Sequence, residues 1–340
     1  MNRFLLRRTL TTLITLFGIV TVVFFLVRVL PGDAAVLRAG PYADAARLAQ
    51  VRAQYGLDRP LLAQYGTYLA GVVHGDLGTS TVSSSSVTYE LMGRMPASLE
   101  IGLYAVVLAC LIGIPFGVLA AAREGGWIDR VVRLVAASGS AMALFWLGLL
   151  LIYFLFYRLR WFPGPVGRLP SGVDPPATIT GMYTVDALLE GRPDVAWQAA
   201  RALMLPVLTL VIVLVAPILK MVRGSMTEVL ATDYVRTARA MGLSRREVLF
   251  RDGLRNAMLP VITAIGIVFG YMLGGNIIVE TLFSWPGVGR YANQAIKNHD
   301  LDALQGFVIF VGVLYVLLNV VIDICYGLLD PRIRLGRRSS

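Results

Sequence analysis

The sequence predicts an all-α integral membrane protein with six transmembrane helices. The prediction rests on composition, on six long runs without charge, and on the uneven placement of basic residues. Of the 340 residues, 56% are hydrophobic and only 15% charged. A soluble domain carries roughly 45–50% apolar and about 25% charged residues. The length would suit about two soluble domains, but the charges are too few to cover two soluble surfaces, so the apolar excess needs lipid as its solvent.

Residues 9–27, 101–122, 134–157, 202–219, 256–279 and 303–322 contain no Asp, Glu, Lys or Arg, in runs of 19, 22, 24, 18, 24 and 20. About 20 apolar residues carry a helix across a bilayer core, so each run predicts one span. The next longest run, residues 60–75, is shorter and holds Pro60, Gln64 and His74; it is not counted. A β-barrel is excluded because its strands would be shorter and alternating. The first run follows Arg7 and Arg8. It is long and lacks a clear small-x-small site before Arg28, so residues 10–30 read as a retained helix, not a cleaved signal.

Basic residues set the expected orientation. Segments 1–8, 123–133, 220–255 and 330–340 together hold 18 basic and 7 acidic residues, and the alternate loops hold 13 of each. Both termini are therefore expected in the cytoplasm. The net charge of +10 is a topology signal, and no nucleic-acid-binding motif accompanies it. Cys110 and Cys325 fall in spans, as small apolar side chains.

The loops differ. The first external one, 31–97, opens with the turn Pro31-Gly32-Asp33, shows helical periodicity over 43–55 and 61–73, and ends in an exposed Ser83–Ser86 connector. It reads as an ordered lobe. The second, 158–201, is rich in Pro and Gly and reads as irregular, apart from a short helix near 185–189. In segment 220–260, Thr232 or Asp233 can cap a helix over 234–241, and Gly242 can end it in the left-handed conformation. Tyr234, Ala238 and Met241 share one face. Ser244 and Glu247 form a capping box that starts a second helix, and Leu259-Pro260 marks entry into the fifth span. A short helix with an apolar face and a basic flank has three readings: it lies on anionic lipid, it is a solvated loop, or it docks into a partner protein.

The residues from Tyr234 to Ser244, followed by Leu254-Arg-Asn-Ala-Met-Leu-Pro260, resemble the cytoplasmic "EAA" loop of ABC-importer permeases, in the dipeptide, oligopeptide and nickel branch. Further landmarks fall in the family's order: Arg28-Val-Leu-Pro-Gly-Asp33, Gly56-Leu-Asp-Arg-Pro60, Gly75-Asp-Leu-Gly78, Val279-Glu-Thr-Leu-Phe-Ser-Trp-Pro-Gly287 and Asp330-Pro-Arg-Ile-Arg334. Arg236 stands where the general pattern has Glu, Met241 where the branch commonly has Lys, and Asp252 where it often has His. The resemblance implies a type I importer core (MetI-like). Its partners would be a second homologous permease, cytoplasmic ABC ATPase subunits and an extracytoplasmic solute-binding protein. It implies one division at residue 97, with residues 1–97 as first span plus lobe and residues 98–340 as core, including a coupling loop at 220–257. Asp233, Tyr234, Arg236, Thr237, Ala238, Arg239, Met241, Gly242 and Leu243 would contact the ATPase. Gly270, Gly274, Asn276 and Glu280 are candidates for the translocation path or its gate. The fifth-span glycines, with Gly266 and Gly275, also permit close helix packing.

No G-x-x-x-x-G-K-[ST] loop occurs, so the chain is not expected to hydrolyse ATP, and no cofactor, metal or catalytic residue is expected. An intramembrane hydrolase would need a base for Ser138 or Ser140, but His74 and His299 both lie in loops. An ion-coupled transporter usually needs ionisable groups near the midplane; only Asp323 falls in a span, near its end. The solute stays open among a peptide, a nickel chelate and another small molecule.

Overall fold

The computed structural model describes residues 2–29, 35–36, 43–244 and 246–329. The turn at Pro31–Asp33, Arg245 and the landmark at 330–334 lie outside the described residues. Among the described residues the regular elements are all helices, with one isolated bridge, Thr79 to Ser86. The helices are α1 (Asn2–Val29), α2 (Ala45–Tyr55), α3 (Leu61–Val73), α4 (Val87–Ala122), α5 (Trp127–Ala141) and α6 (Leu144–Leu151), which runs on as a π-helix over Ile152–Arg158. Then come α7 (Tyr183–Leu189), α8 (Pro193–Leu230), α9 (Asp233–Ala240), a π-helix (Glu247–Gly253) leading into α10 (Leu254–Leu282), α11 (Val288–Lys297) and α12 (Leu301–Leu329).

Among the described residues, 5 helices are long and apolar enough to cross a membrane, and a sixth span exists if α5 and α6 are taken together. That pair corrects one expectation. Residues 134–157 were expected to form one span, but the chain bends by 106° between Ala141 and Leu144. Met142 and Ala143 are extended, with ψ of 130° and 127°. The residues before the bend, 136–141, are all Ala, Ser or Gly, and they let α5 settle on the α8 backbone. A Cβ added at Gly139 would lie 2.9 Å from the Ile212 carbonyl oxygen. A count of charges registers composition and carries no information about direction.

Helix ends also differ from the charge-free runs. The lobe was expected to reach residue 97, yet α4 begins at Val87; the second loop was expected to reach 201, yet α8 begins at Pro193 and continues to Leu230. Charges mark where hydrocarbon ends. The helical hydrogen-bond ladder has no reason to stop there, because each added residue contributes one more bond. With 38 residues, α8 is about 57 Å long at 1.5 Å per residue. Pro193 and Asp194 open it, as the missing N–H and the helix dipole favour.

The chain forms two compact units, which do not follow chain order: residues 1–96 with 287–317, and residues 97–286 with 318–340. In the first unit, Phe24 is buried between Tyr65 and Tyr68, with ring centroids 5.2 and 5.3 Å away. Asp44 caps α2 by accepting from Arg47 N at 2.8 Å, and Gly56 ends it at φ +60°. The Asp300 carboxylate accepts from Ser80 Oγ at 2.6 Å and from Ala303 N at 3.1 Å, which ties the 79–86 turn to the start of α12.

The second unit is assembled on α8, which packs against α5, α6, α7 and α10. Its buried face includes Leu205, Ile218 and Met226. Close approach to α4 depends on glycine: a Cβ at Gly113 would lie 2.7 Å from Ile218 Cγ2, and one at Gly117 2.7 Å from Val222 Cβ. Gly117→Val should therefore lower the thermal unfolding midpoint of the purified protein, by the ~1–3 kcal/mol typical of overpacking. Gly93→Ala in the same helix, with nothing within 4 Å, should leave it unchanged or raise it by up to about 1 kcal/mol. Equal midpoints for the two variants would contradict the close α4–α8 approach.

Candidate functional site

The short helix anticipated after Thr232 is α9, Asp233–Ala240. The Thr232 hydroxyl donates back to Val229 O at 2.6 Å, at the end of α8. Gly242 ends the turn at φ +83° with no atom within 4 Å of an added Cβ, so conformation and not space selects glycine there. The capping box forms in both directions: Glu247 N donates to Ser244 Oγ at 3.3 Å, and Ser244 N donates to Glu247 Oε2 at 3.0 Å.

The faces of α9 differ from the expected ones. Tyr234, Ala238 and Met241 were expected to share one outward face. Ala238 is only 6% exposed and packs with the buried Val235 and Val248 and the half-buried Leu243. Tyr234, Arg236, Thr237 and Met241 are exposed, Met241 at 72%. Asp233 and Arg236 pair at 3.0 Å on the surface, a contact of small energetic weight. The Tyr234 hydroxyl accepts from Asn256 Nδ2 at 2.9 Å, linking α9 to α10. Met241 directly follows the last helical residue, Ala240, and its N still donates to Thr237 O at 2.9 Å. The Arg239 side chain lies outside the described part.

The two polar path candidates, Asn276 and Glu280, meet at one residue of α4, Ser98. Glu280 is wholly buried and accepts from Ser98 Oγ at 2.5 Å; Asn276, 3% exposed, donates to Ser98 O at 3.4 Å. Trp285 Nε1 donates to Ala97 O at 2.9 Å. Both polar candidates thus face α4 of their own chain. Gly270 and Gly274 lie within α10, and a Cβ at Gly266 would collide with Ile322.

Sequence reasoning missed the other side of this stretch. Glu100, 0% exposed, accepts from Arg168 Nη2 at 2.7 Å, Thr184 N at 2.9 Å and Thr184 Oγ1 at 2.7 Å. Arg168 also donates to Gly181 O at 2.6 Å and lies 3.4 Å from the Tyr183 ring centroid. Asp186, buried, accepts from Thr180 N at 2.7 Å and Gly181 N at 2.9 Å. The expected loop 158–201 is therefore fastened at Arg168 and at 179–186. The one available signal was a glutamate directly before a charge-free run. Near the other end of α4, buried Asp129 pairs with Arg223 of α8 and accepts from Gly125 N at 3.0 Å.

Ser140 Oγ donates to Ala136 O at 2.9 Å, within its own helix.

A set of long apolar helices, with a capped two-helix excursion between α8 and α10, defines a multi-pass membrane protein. The family profile for binding-protein-dependent transport system inner membrane components matches residues 113–335, and the profile for the N-terminal part of such components matches residues 1–101. The chain belongs to this family. It is 41% identical over 319 residues to the probable D,D-dipeptide transport system permease protein of Escherichia coli K12, covering 94% of each chain. It is 40% identical over 338 residues to the dipeptide transport system permease protein of the same strain, covering 98% of this chain and 99% of the relative. With the glutathione transport system permease protein of Escherichia coli O6:H1 it shares 36% over 334 residues, covering 98% and 99%. The chain is thus a permease subunit in the inner membrane, working with a solute-binding protein; it is not itself an enzyme, and the ATPase sits in partner subunits.

Arg168→Met should leave Glu100 buried without its cation, a loss of about 3–5 kcal/mol, read as a fall in the unfolding midpoint. Glu100→Gln combined with Arg168→Met should recover part of it. Asp186 gives a pH dependence. Burial pushes its carboxyl up, but the hydrogen bonds from Thr180, Ile179 and Gly181 outweigh this and hold it below the ordinary carboxylate range. Its stabilisation is therefore present above about pH 3.9, the ordinary aspartate value, and lost as pH falls through the depressed value. Amide exchange at 179–181 should accelerate in that acid window in the native chain and lose this dependence in Asp186→Asn.

Proposed function

We propose that this chain is the permease subunit of an ATP-driven peptide importer, and that it forms half of the translocation path with a second, homologous permease. The solutes in the relatives' names, dipeptides and glutathione, support short peptides over a nickel chelate. In this reading residues 1–97 carry the lobe that receives the solute-binding protein, residues 98–340 the transport core, and both termini face the cytoplasm.

The observation that carries the coupling role is the exposed face of α9. Tyr234, Arg236, Thr237 and Met241 stand out from a helix that is itself fastened, through Val235 and Ala238, to Val248 in the π-helix leading into α10. A partner seated on that face pushes a rigid lever and not a loose loop. ATP-driven closure of the ATPase then moves α9, and α9 moves the core helices as a body. Asp233, Arg239, Gly242 and Leu243 complete the segment, with Gly242 setting its exit angle. Asn276 and Glu280, held against Ser98, serve as the closed gate; Gly270 and Gly274 lie on the same helix and give it room to move.

Met241→Glu is the direct test, because the side chain is 72% exposed. The reconstituted complex should lose dipeptide uptake and peptide-stimulated ATP hydrolysis by about tenfold or more, equivalent to at least ~1.4 kcal/mol of coupling, with the unfolding midpoint unchanged. Ala238→Glu should instead lower that midpoint, because it places a charge among Val235 and Val248. Wild-type uptake by Met241→Glu would refute the assignment. For orientation, Thr178→Cys should react with a membrane-impermeant maleimide in intact cells and Thr237→Cys only after permeabilisation; the reverse pattern would invert the topology.

A further inference from the structure

Two of the landmarks in the first unit, Gly56–Pro60 and Gly75–Gly78, have no part in the coupling or gate described above. They border the same cavity, of about 390 Å³, between α2, α3 and the start of α12. The volume is at the lower end of the range for small-ligand pockets, about 300–1,000 Å³.

Charges of both signs stand around it: Arg28, Arg59, Asp76 and Asp302. Arg59 is exposed, on the rim, and joins no ion pair among the described residues. Asp76 is also exposed; one of its oxygens accepts from Gly78 N at 2.9 Å, and it has no cationic partner among the described residues. The two therefore border one cavity without pairing with each other.

Two buried groups on the wall carry unused hydrogen-bonding capacity. Gln305 is only 4% exposed, and among the described residues neither its Nε2 nor the buried Tyr68 hydroxyl has a hydrogen-bond partner. Burial pushes the Tyr68 phenol up to about 12, so it stays a protonated donor. Native structures leave few buried polar groups unsatisfied, and each exception needs an explanation.

We propose that this cavity is a binding site for a small zwitterion, a free α-amino acid or a very short peptide. Arg59 takes the carboxylate, in the planar two-pronged geometry that suits guanidinium. Asp76 takes the ammonium, and Gln305 and Tyr68 donate to the ligand's carboxylate or peptide carbonyl. A simple anion would leave Asp76 unmatched and a simple cation would leave Arg59 unmatched; a zwitterion matches both. The inference rests on the first unit alone and holds whatever solute crosses the membrane.

The test uses the full-length chain in lipid nanodiscs, without the solute-binding protein, titrated with glycine, alanyl-alanine and N-acetyl-alanyl-alanine amide. Saturable binding of glycine or alanyl-alanine is expected, and the doubly capped peptide should bind at least about tenfold more weakly, a difference of ~1.4 kcal/mol. Arg59→Gln and Asp76→Asn should each weaken the zwitterion by a similar factor. Both side chains are exposed, so the unfolding midpoint should hold. The proposal is overturned by no saturable binding of either zwitterion, by equal binding of the capped peptide, or by variants that bind like the native chain. Loss of dipeptide uptake in the Met241→Glu complex does not bear on this result, so the two assignments fail separately.

Discussion

A peptide group in hydrocarbon must find its hydrogen-bond partner within the protein, because no water is there to supply one. That constraint orders everything else in this chain. It makes the spanning segments helical; outside them, burial alone requires a carboxylate to bring its own donors. Glu100, Asp129 and Asp186 are all buried, and each is surrounded by guanidinium, hydroxyl or backbone N–H groups. These satisfied carboxylates are the fasteners. Glu100 holds the 158–192 segment to α4, Asp129 holds the 123–133 turn to α8, and Ser98 with Glu280 holds the end of α10.

The consequence for function is mechanical. A transporter subunit must carry a push from a partner to the helices that bound the path, so the receiving element has to be stiff. α9 is only 8 residues long, too short to persist alone. It is stiff because Val235 and Ala238 are buried against Val248, because Tyr234 is bonded to Asn256, and because a reciprocal capping box starts the next helix. Burial of one face leaves the other free for a partner. In an eight-residue helix the two faces together use nearly every residue, so the segment tolerates little change even where no partner touches it.

The sequence displayed most of the element list and little of the tertiary arrangement. Charge-free runs located the hydrocarbon, and cap residues such as Asp44, Ser244 and Gly242 located helix ends, because both signals are local. The bend at Met142–Ala143 was hidden because it depends on how closely α5 can sit on α8. The face of α9 was misassigned for a related reason: periodicity says which residues are neighbours, and only packing says whether that side is turned inward. Glu100 was lost because a method that searches for stretches without charge discards the charge at the boundary. Asn276 and Glu280 were legible as polar residues in an apolar helix, but their common partner, Ser98, lies 178 and 182 residues away.

The central claim is that the outer face of α9, and not its inner face, meets the ATPase. Photo-crosslinking measures this directly: a photoreactive amino acid is placed singly at Met241, Tyr234 or Ala238 in the assembled complex, and the adducts are identified by mass. The account predicts ATPase adducts from Met241 and Tyr234, and from Ala238 only adducts within the chain. ATPase adducts from Ala238 with none from Met241 would contradict it.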